Sequence, residues 1–144
     1  MPVVTSSIII DAPVSTVFDI SNRIDQWPEM VPEYLKAEIL DREGRKIWFR
    51  LTGNDGSSWV SWRMLYPPVV AYAERYEPVA PFTYNHLTWA YQSLPGDRTQ
   101  MTWDMMFELA EDLKPQEDQW RARMAEHTEA NQASMRSYIE SATG

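Results

Sequence analysis

The sequence predicts an α+β fold: a curved antiparallel sheet of about seven strands with one long C-terminal helix lying across it. Three observations lead there. Strand-like segments follow one another from residue 34 to residue 109, separated only by short turn signals. From Pro115 to about Ser141 no glycine and no internal proline interrupts a helical pattern. There is no repeat, low-complexity tract or linker-like run, and 144 residues make one domain's length of chain, 1–144.

The elements follow in order. Val3 to Ile10 is rich in β-branched residues and reads as the first strand. Asp11-Ala12-Pro13 starts a helix, with Asp11 or Ala12 near the cap and Pro13 close to the first helical position. Val14, Val17, Phe18 and Ile20 then give a short amphipathic helix. Ser21 to Pro32 is turn-rich, and Trp27-Pro28 and Val31-Pro32 keep any second helix short, because a residue before proline is pushed out of the helical region. Tyr34 to Leu40 opens the long β region. There Ala37, Ile39, Ile47, Phe49 and Leu51 alternate with Glu38, Lys46, Trp48 and Arg50. Arg42-Glu43-Gly44 and Gly53-Asn54-Asp55-Gly56 are turns. Further strands are expected over Trp59–Leu65, Val69–Glu77, Tyr84–Tyr91 and Gln100–Leu109. Short connections make the arrangement an antiparallel meander. In the last helix Trp120, Met124, Thr128, Met135 and Tyr138 share one face.

Composition excludes several classes. With no Cys there is no disulfide scaffold, thiolate zinc site or cysteine nucleophile. A net charge of −8 argues against a nucleic-acid-binding face. His86 and His127 have no paired ligand spacing, so no metal site is expected. No glycine-rich phosphate loop points to a nucleotide, so no cofactor is expected. Met1 to Ile10 has no basic start and only a short apolar run, so neither a signal peptide nor a membrane span is read there, and a cytoplasmic protein is the simplest reading. Seven Trp, seven Tyr and four Phe make the apolar content unusually aromatic, suited to surfaces that are apolar yet meet something polar.

Strand alternation sorts some faces and not others. Met101, Trp103, Met105, Phe107 and Leu109 are clearly one face of the last strand. Trp59, Ser61 and Arg63 oppose Val60, Trp62 and Met64, but both sets carry a Trp and pattern alone leaves the inside open. Asn85, Leu87 and Trp89 alternate with Tyr84, His86 and Thr88, equally undecided. The long helix reads Trp120, Met124, His127/Thr128, Asn131, Ser134/Met135, Tyr138 on its inner face. Buried unpaired polar groups cost on the order of 1–3 kcal/mol each, so the polar interruptions fit a helix facing a polar-lined pocket, or one rotated so that they meet water.

Specific motifs carry a resemblance. Asp11-Ala12-Pro13-Val14-Ser15-Thr16-Val17-Phe18-Asp19 followed by Trp27-Pro28 resembles the opening of START-like, Bet v 1-like helix-grip proteins. Trp27-Pro28-Glu29 with Glu33 to Leu40, Trp59-Val60-Ser61-Trp62-Arg63, and Pro81-Phe82-Thr83-Tyr84-Asn85-His86-Leu87-Thr88-Trp89-Ala90-Tyr91 resemble the bacterial aromatic polyketide aromatase/cyclases of the tetracenomycin and spore-pigment type. The resemblance covers nearly the whole chain. It implies a helix-grip fold with an interior cavity, two short helices after strand 1, and Trp59, Ser61 and Arg63 facing inward. It also implies Asn85, Leu87 and Trp89 on the same cavity and Tyr34 near it. Trp27 and Met30 would sit near the mouth, and Ser134 or Asn131 where family members present a polar helix residue. Departures are Ser57 in place of a family Trp, Met105 in place of a Gln, and Asn85 at a position that is apolar in the tetracenomycin type. These bear on ring regiospecificity.

The implied chemistry is an intramolecular aldol of a poly-β-ketone with dehydration and aromatisation. The protein's part is to bring one pair of carbons together and exclude water. Arg63 is the expected electrophilic group, with Tyr34 and Ser61 as proton carriers or orienting donors. Trp59, Trp89, Trp103, Met105 and Phe107 would supply walls. The implied partners are the poly-β-ketone or polycyclic polyketide and an acyl carrier protein of a type II polyketide synthase. The carrier is itself acidic, so docking would need a local basic patch such as Arg42, Arg45, Lys46 and Arg50. A monomer or homodimer is compatible with exposed strand edges. The competing readings are a non-catalytic START-like carrier of a lipid or planar hydrophobic ligand, and a hydrolase or dehydratase acting on a later polyketide intermediate.

Overall fold

The computed structural model describes residues 2–143. Strand β1 (Val3–Ile10) leads into α1 (Val14–Ser21), a 3-10 turn (Ile24–Gln26) and the one-turn helix α2 (Trp27–Met30). Six strands follow: β2 (Tyr34–Glu43), β3 (Lys46–Gly53), β4 (Ser58–Tyr66), β5 (Val70–Glu77), β6 (Phe82–Leu94) and β7 (Arg98–Leu109). A 3-10 segment (Glu111–Gln116) hands over to α3 (Glu117–Thr143). All neighbours pair antiparallel in the order β1-β7-β6-β5-β4-β3-β2, so the meander closes by returning β7 to β1.

Two helix starts differ from the sequence reading. Pro13 is itself the α1 cap, with φ −63° and ψ 150°, and the helix begins at Val14. The backbone N–H of Asp11 donates to Glu140 Oε2 on α3 at 2.8 Å. Pro115 falls inside the 3-10 segment and α3 starts after it, because proline cannot supply the N–H that a helix interior needs. At the β6–β7 hairpin Gly96 and Asp97 both take positive φ, 81° and 54°. Such a turn twists with its flanking strands and favours Gly and Asp there.

The concave face of the sheet, α1, α2 and α3 enclose two apolar clusters. The larger joins Ile10, Phe18, Trp27, Phe49, Met101 and Ile139. The smaller, under the start of α3, holds Val4, Phe82, Phe107 and Leu109 against Trp120 and Met124. Gln132 fixes the helix between them. It is buried, accepts from Ser6 Oγ at 2.7 Å and donates to the Ser6 carbonyl at 2.9 Å. The α3 residues that are fully buried are therefore Thr128, Gln132, Met135 and Ile139, while Tyr138 packs against the larger cluster.

Not all aromatics are inside. On the convex face Lys46 Nζ lies 4.5 Å from the Trp48 ring and 4.7 Å from the Trp62 ring. Tyr66, Tyr72 and Tyr76 are exposed on the same side. A lysine stem over indole faces lets such rings sit at the surface while the ammonium stays in water.

Candidate active site

The space between the two clusters is a cavity of about 450 Å³. That size suits a compact organic ligand. Its inner walls come from Trp27, Tyr34, Phe49 and Leu51 on one side and from Trp89, Asn85, Leu87 and Met105 on the other. Ser61 and Arg63 project from β4 between them. At the other end the lining residues Asp55, Ser57, Arg123 and His127 are exposed and form the mouth.

Arg63 dominates the inner end. It is 1% exposed, the largest fully buried side chain in the protein. Its Nε donates to Asn22 Oδ1 at 2.8 Å, and the Tyr91 phenol is a close neighbour. The guanidinium carbon lies 3.9 Å from the Trp89 ring centre and 5.3 Å from that of Trp27. Nη2 has no partner. Among the described residues no carboxylate pairs with it. Burial draws its pKa down to about 10, opposed by the neighbouring Tyr91 and Tyr34. The group is still charged at neutral pH, and an unused donor on a charged, desolvated group is a strong site for an oxygen anion.

Tyr34 stacks on Trp27 at 5.9 Å and meets Trp59 edge-on at 6.4 Å. Burial pushes its phenol well above the ordinary tyrosine value, with Glu33 adding to the rise and Arg63 opposing it. Tyr34 is therefore a neutral O–H donor at working pH. The sign of its effect on stability follows. An unfolded tyrosine ionises at about pH 10 while half-buried Tyr34 keeps its proton, so above that pH the unfolded state binds fewer protons and stability falls as pH rises. Tyr91, also raised by burial, acts in the same direction. Arg63, lowered, acts in the opposite one above about pH 10. Tyr34→Phe is expected to flatten the alkaline loss. Urea midpoints between about pH 9 and pH 11 should fall less steeply than in the wild type, and equal slopes would show that Tyr34 ionises in place.

Ten of the sequence-predicted residues border the cavity: Trp27, Tyr34, Trp59, Ser61, Arg63, Asn85, Leu87, Trp89, Met105 and Asn131. Four do not. Met30 packs into the larger cluster, since the single turn of α2 presents Trp27 to the cavity instead. Trp103 lies behind Trp89, the two indoles stacked at 3.9 Å and 8°. Phe107 is wholly buried against Phe82 in the smaller cluster. Ser134 lies nearly one turn beyond Asn131, past the end of the cavity. Asn131 borders the cavity, and its Nδ2 donates to Glu33 Oε2 at 2.6 Å, tying α3 to the start of β2. His86 points away, 3.3 Å from Glu74 on the outer face, whereas His127 is at the mouth, 3.9 Å from Glu33.

Sequence reasoning missed Asn22 and Arg75. Asn22 lies in the turn-rich stretch, where only its partner across the fold reveals a role. Arg75 lines the mouth, held by the carbonyls of Pro78 at 2.8 Å and Ala80 at 3.3 Å, with Trp59 4.9 Å away. Of the four basic residues expected to form a patch, Arg50 lies toward the mouth, its Nη1 3.5 Å from Ser58 Oγ beside Ser57. Arg42, Arg45 and Lys46 sit at the β2–β3 hairpin, at the opposite end of β3 from the mouth. At about 3.3 Å per residue that strand carries them some 20 Å away.

The curved sheet gripping one long helix around a cavity is the START-like, Bet v 1-like helix-grip fold. TTHA0849 from Thermus thermophilus superposes with a TM-score of 0.86 at 17% identity, covering 99% of this chain and 100% of that one. The Zhui aromatase/cyclase from Streptomyces sp. R1128 gives 0.81 at 21% identity, covering 96% and 93%. A Streptomyces cyaneus protein assigned as a polyketide cyclase is 35% identical over 112 residues, 74% of this chain and 73% of that protein. The family described as polyketide cyclase / dehydrase and lipid transport matches residues 1–140, and the chain belongs to it. Among the described residues no helix is long and apolar enough to cross a membrane.

Proposed function

We propose that the protein is a polyketide aromatase/cyclase that folds a carrier-protein-tethered poly-β-ketone in its cavity and directs one intramolecular aldol closure, followed by dehydration and aromatisation. The observation that carries this reading is Arg63: a buried cation with no carboxylate partner among the described residues, lining the closed end of an aromatic-walled cavity.

Each step has a place for these residues. A methylene between two carbonyls gives up a proton, through water, and the resulting enolate oxygen is held by the charge of the Arg63 guanidinium, where a fixed charge in a dry site is worth most. The enolate carbon bonds to a distant carbonyl carbon, whose oxygen takes up a proton. Tyr34 or Ser61 supplies it and regains one from water. Loss of that hydroxyl as water, together with a ring proton, gives the double bond that begins the aromatic ring. The walls of Trp27, Trp59 and Trp89 fit a flat product. The carrier's arm would enter past Arg75 and Arg123 at the mouth, where Glu33 and Asp55 balance their charge, so the approach of an acidic partner to a chain of net charge −8 gains no long-range attraction there.

The test is reconstitution with a minimal polyketide synthase and its carrier protein. The spontaneous product mixture should collapse to one first-ring regiochemistry. A product profile that is the same with and without the protein rejects the cyclase reading. If the protein then still binds a planar aromatic in the cavity, it is a carrier.

A further inference from the structure

Asn22 follows α1 and is 8% exposed. Every polar atom of its amide is used. Oδ1 accepts from Arg63 Nε at 2.8 Å, and Nδ2 donates to the Phe18 carbonyl at 2.9 Å and to the Tyr91 hydroxyl at 3.1 Å. Tyr91 in turn shares a 2.7 Å hydrogen bond with Ser21 Oγ. The Phe18 carbonyl can only accept, so the amide cannot flip, and its oxygen is held toward Arg63.

A buried arginine is ordinarily met by a carboxylate. Here the groups facing it are an amide on the α1 side, the phenols of Tyr91 and Tyr34 from β6 and β2, and two indole faces. The charged residues nearest Asn22, namely Asp19, Arg23, Asp25 and Arg42, line a separate depression on its far side, and none of them pairs with Arg63. An aspartate in place of Asn22 would have the same shape and the same acceptor toward Arg63 and would cancel the charge, at the expense of the donor to the Phe18 carbonyl.

We propose that Asn22 is a positioning residue that holds the Arg63 guanidinium against the cavity wall without neutralising it, so that its positive charge is left for an oxyanion of the ligand. This rests on the reading that a ligand oxygen meets Arg63, and not on that ligand being a polyketide.

The test uses 4-nitrophenol, coloured as its phenolate, and nitrobenzene as its uncharged analogue, with the full chain. An opposite charge within reach lowers the pKa of an acid by about one to three units. The absorbance midpoint of bound nitrophenol should therefore rise by about one unit in Asn22→Asp, a roughly tenfold loss of phenolate affinity, and rise further in Arg63→Met. Nitrobenzene affinity should stay within about twofold, which a merely structural role for Asn22 would not predict. The far-side depression gives the new carboxylate access to water. Where Asn22→Asp does not fold, Asn22→Ser, too short to reach Nε, should show the same loss for phenolate alone. A wild-type midpoint in the Asn22 variants, an unshifted midpoint in Arg63→Met, or no nitrophenol binding to the wild type would each overturn the proposal. The product profile in the reconstituted synthase is a separate readout, so the cyclase reading can fail while this one stands.

Discussion

Arg63→Met is expected to abolish first-ring control in the reconstituted synthase while leaving the protein folded. Removing one donor that stabilises a developing oxyanion typically costs about 10²–10³ in rate, so directed closure should fall to the spontaneous background. The stability change is small because two terms oppose each other. Burial, only partly opposed by the neighbouring phenols, lowers the guanidinium pKa to about 10, a net cost of roughly 3 kcal/mol for holding the charge that the substitution relieves. Against this, Asn22 Oδ1 loses its partner, at about 1–3 kcal/mol for the group left unsatisfied, and the Trp89 and Trp27 faces lose the cation that rests on them. Methionine fills a similar volume, so no large cavity term is added. Thermal denaturation should place the variant within a few degrees of the wild type while product analysis shows the spontaneous mixture. Retained regiocontrol would remove Arg63 from the chemistry.

Trp89→Ala is expected to be the most damaging single change to the site's framework. The side chain is 6% exposed, stacks on Trp103, approaches Trp27 at 5.8 Å and forms the face on which Arg63 rests. Truncating a buried tryptophan costs about 3–5 kcal/mol, and for a chain of this size that lowers the midpoint by roughly 10–15 °C. Trp89→Phe keeps an aromatic face and should recover more than half of the loss. A double variant with Arg63→Met should be less unstable than the sum of the two singles, because each removes the same cation–indole contact. Strict additivity would mean that the contact contributes nothing.

What could be read from the sequence depended on how unambiguous each residue's environment is. Met101, Trp103, Phe107 and Leu109 face the core as their alternation says, because the opposite face of β7 is polar. The same alternation was undecidable in β4. Trp62 is kept at the surface by Lys46, so an apolar residue on the outer face mimics a core residue, and only the motif resemblance assigns Trp59, Ser61 and Arg63 inward. The helix register was legible to within a turn. Asn131 reaches the cavity, and Ser134, nearly one turn on, does not. Asn22 and Gln132 were invisible for a common reason. A buried amide is identified by the partners it satisfies, and those lie 41 and 126 residues away along the chain. Trp103 and Phe107 face inward as read, yet another ring stands between each of them and the cavity.

The return of β7 to β1 sets an order of events during folding. Thr5 meets Asp104 across 99 residues, and Gln132 then locks β1 from a separation of 126. The hairpins from β2 to β7 can zip locally, each over a short loop. The first strand made must wait for the last strand and the helix, since the entropy of closing so long a loop is lost before any contact is gained. On the ribosome β1 is therefore an unpaired, β-branched segment while β2 to β7 are made, and the site closes only when α3 has emerged.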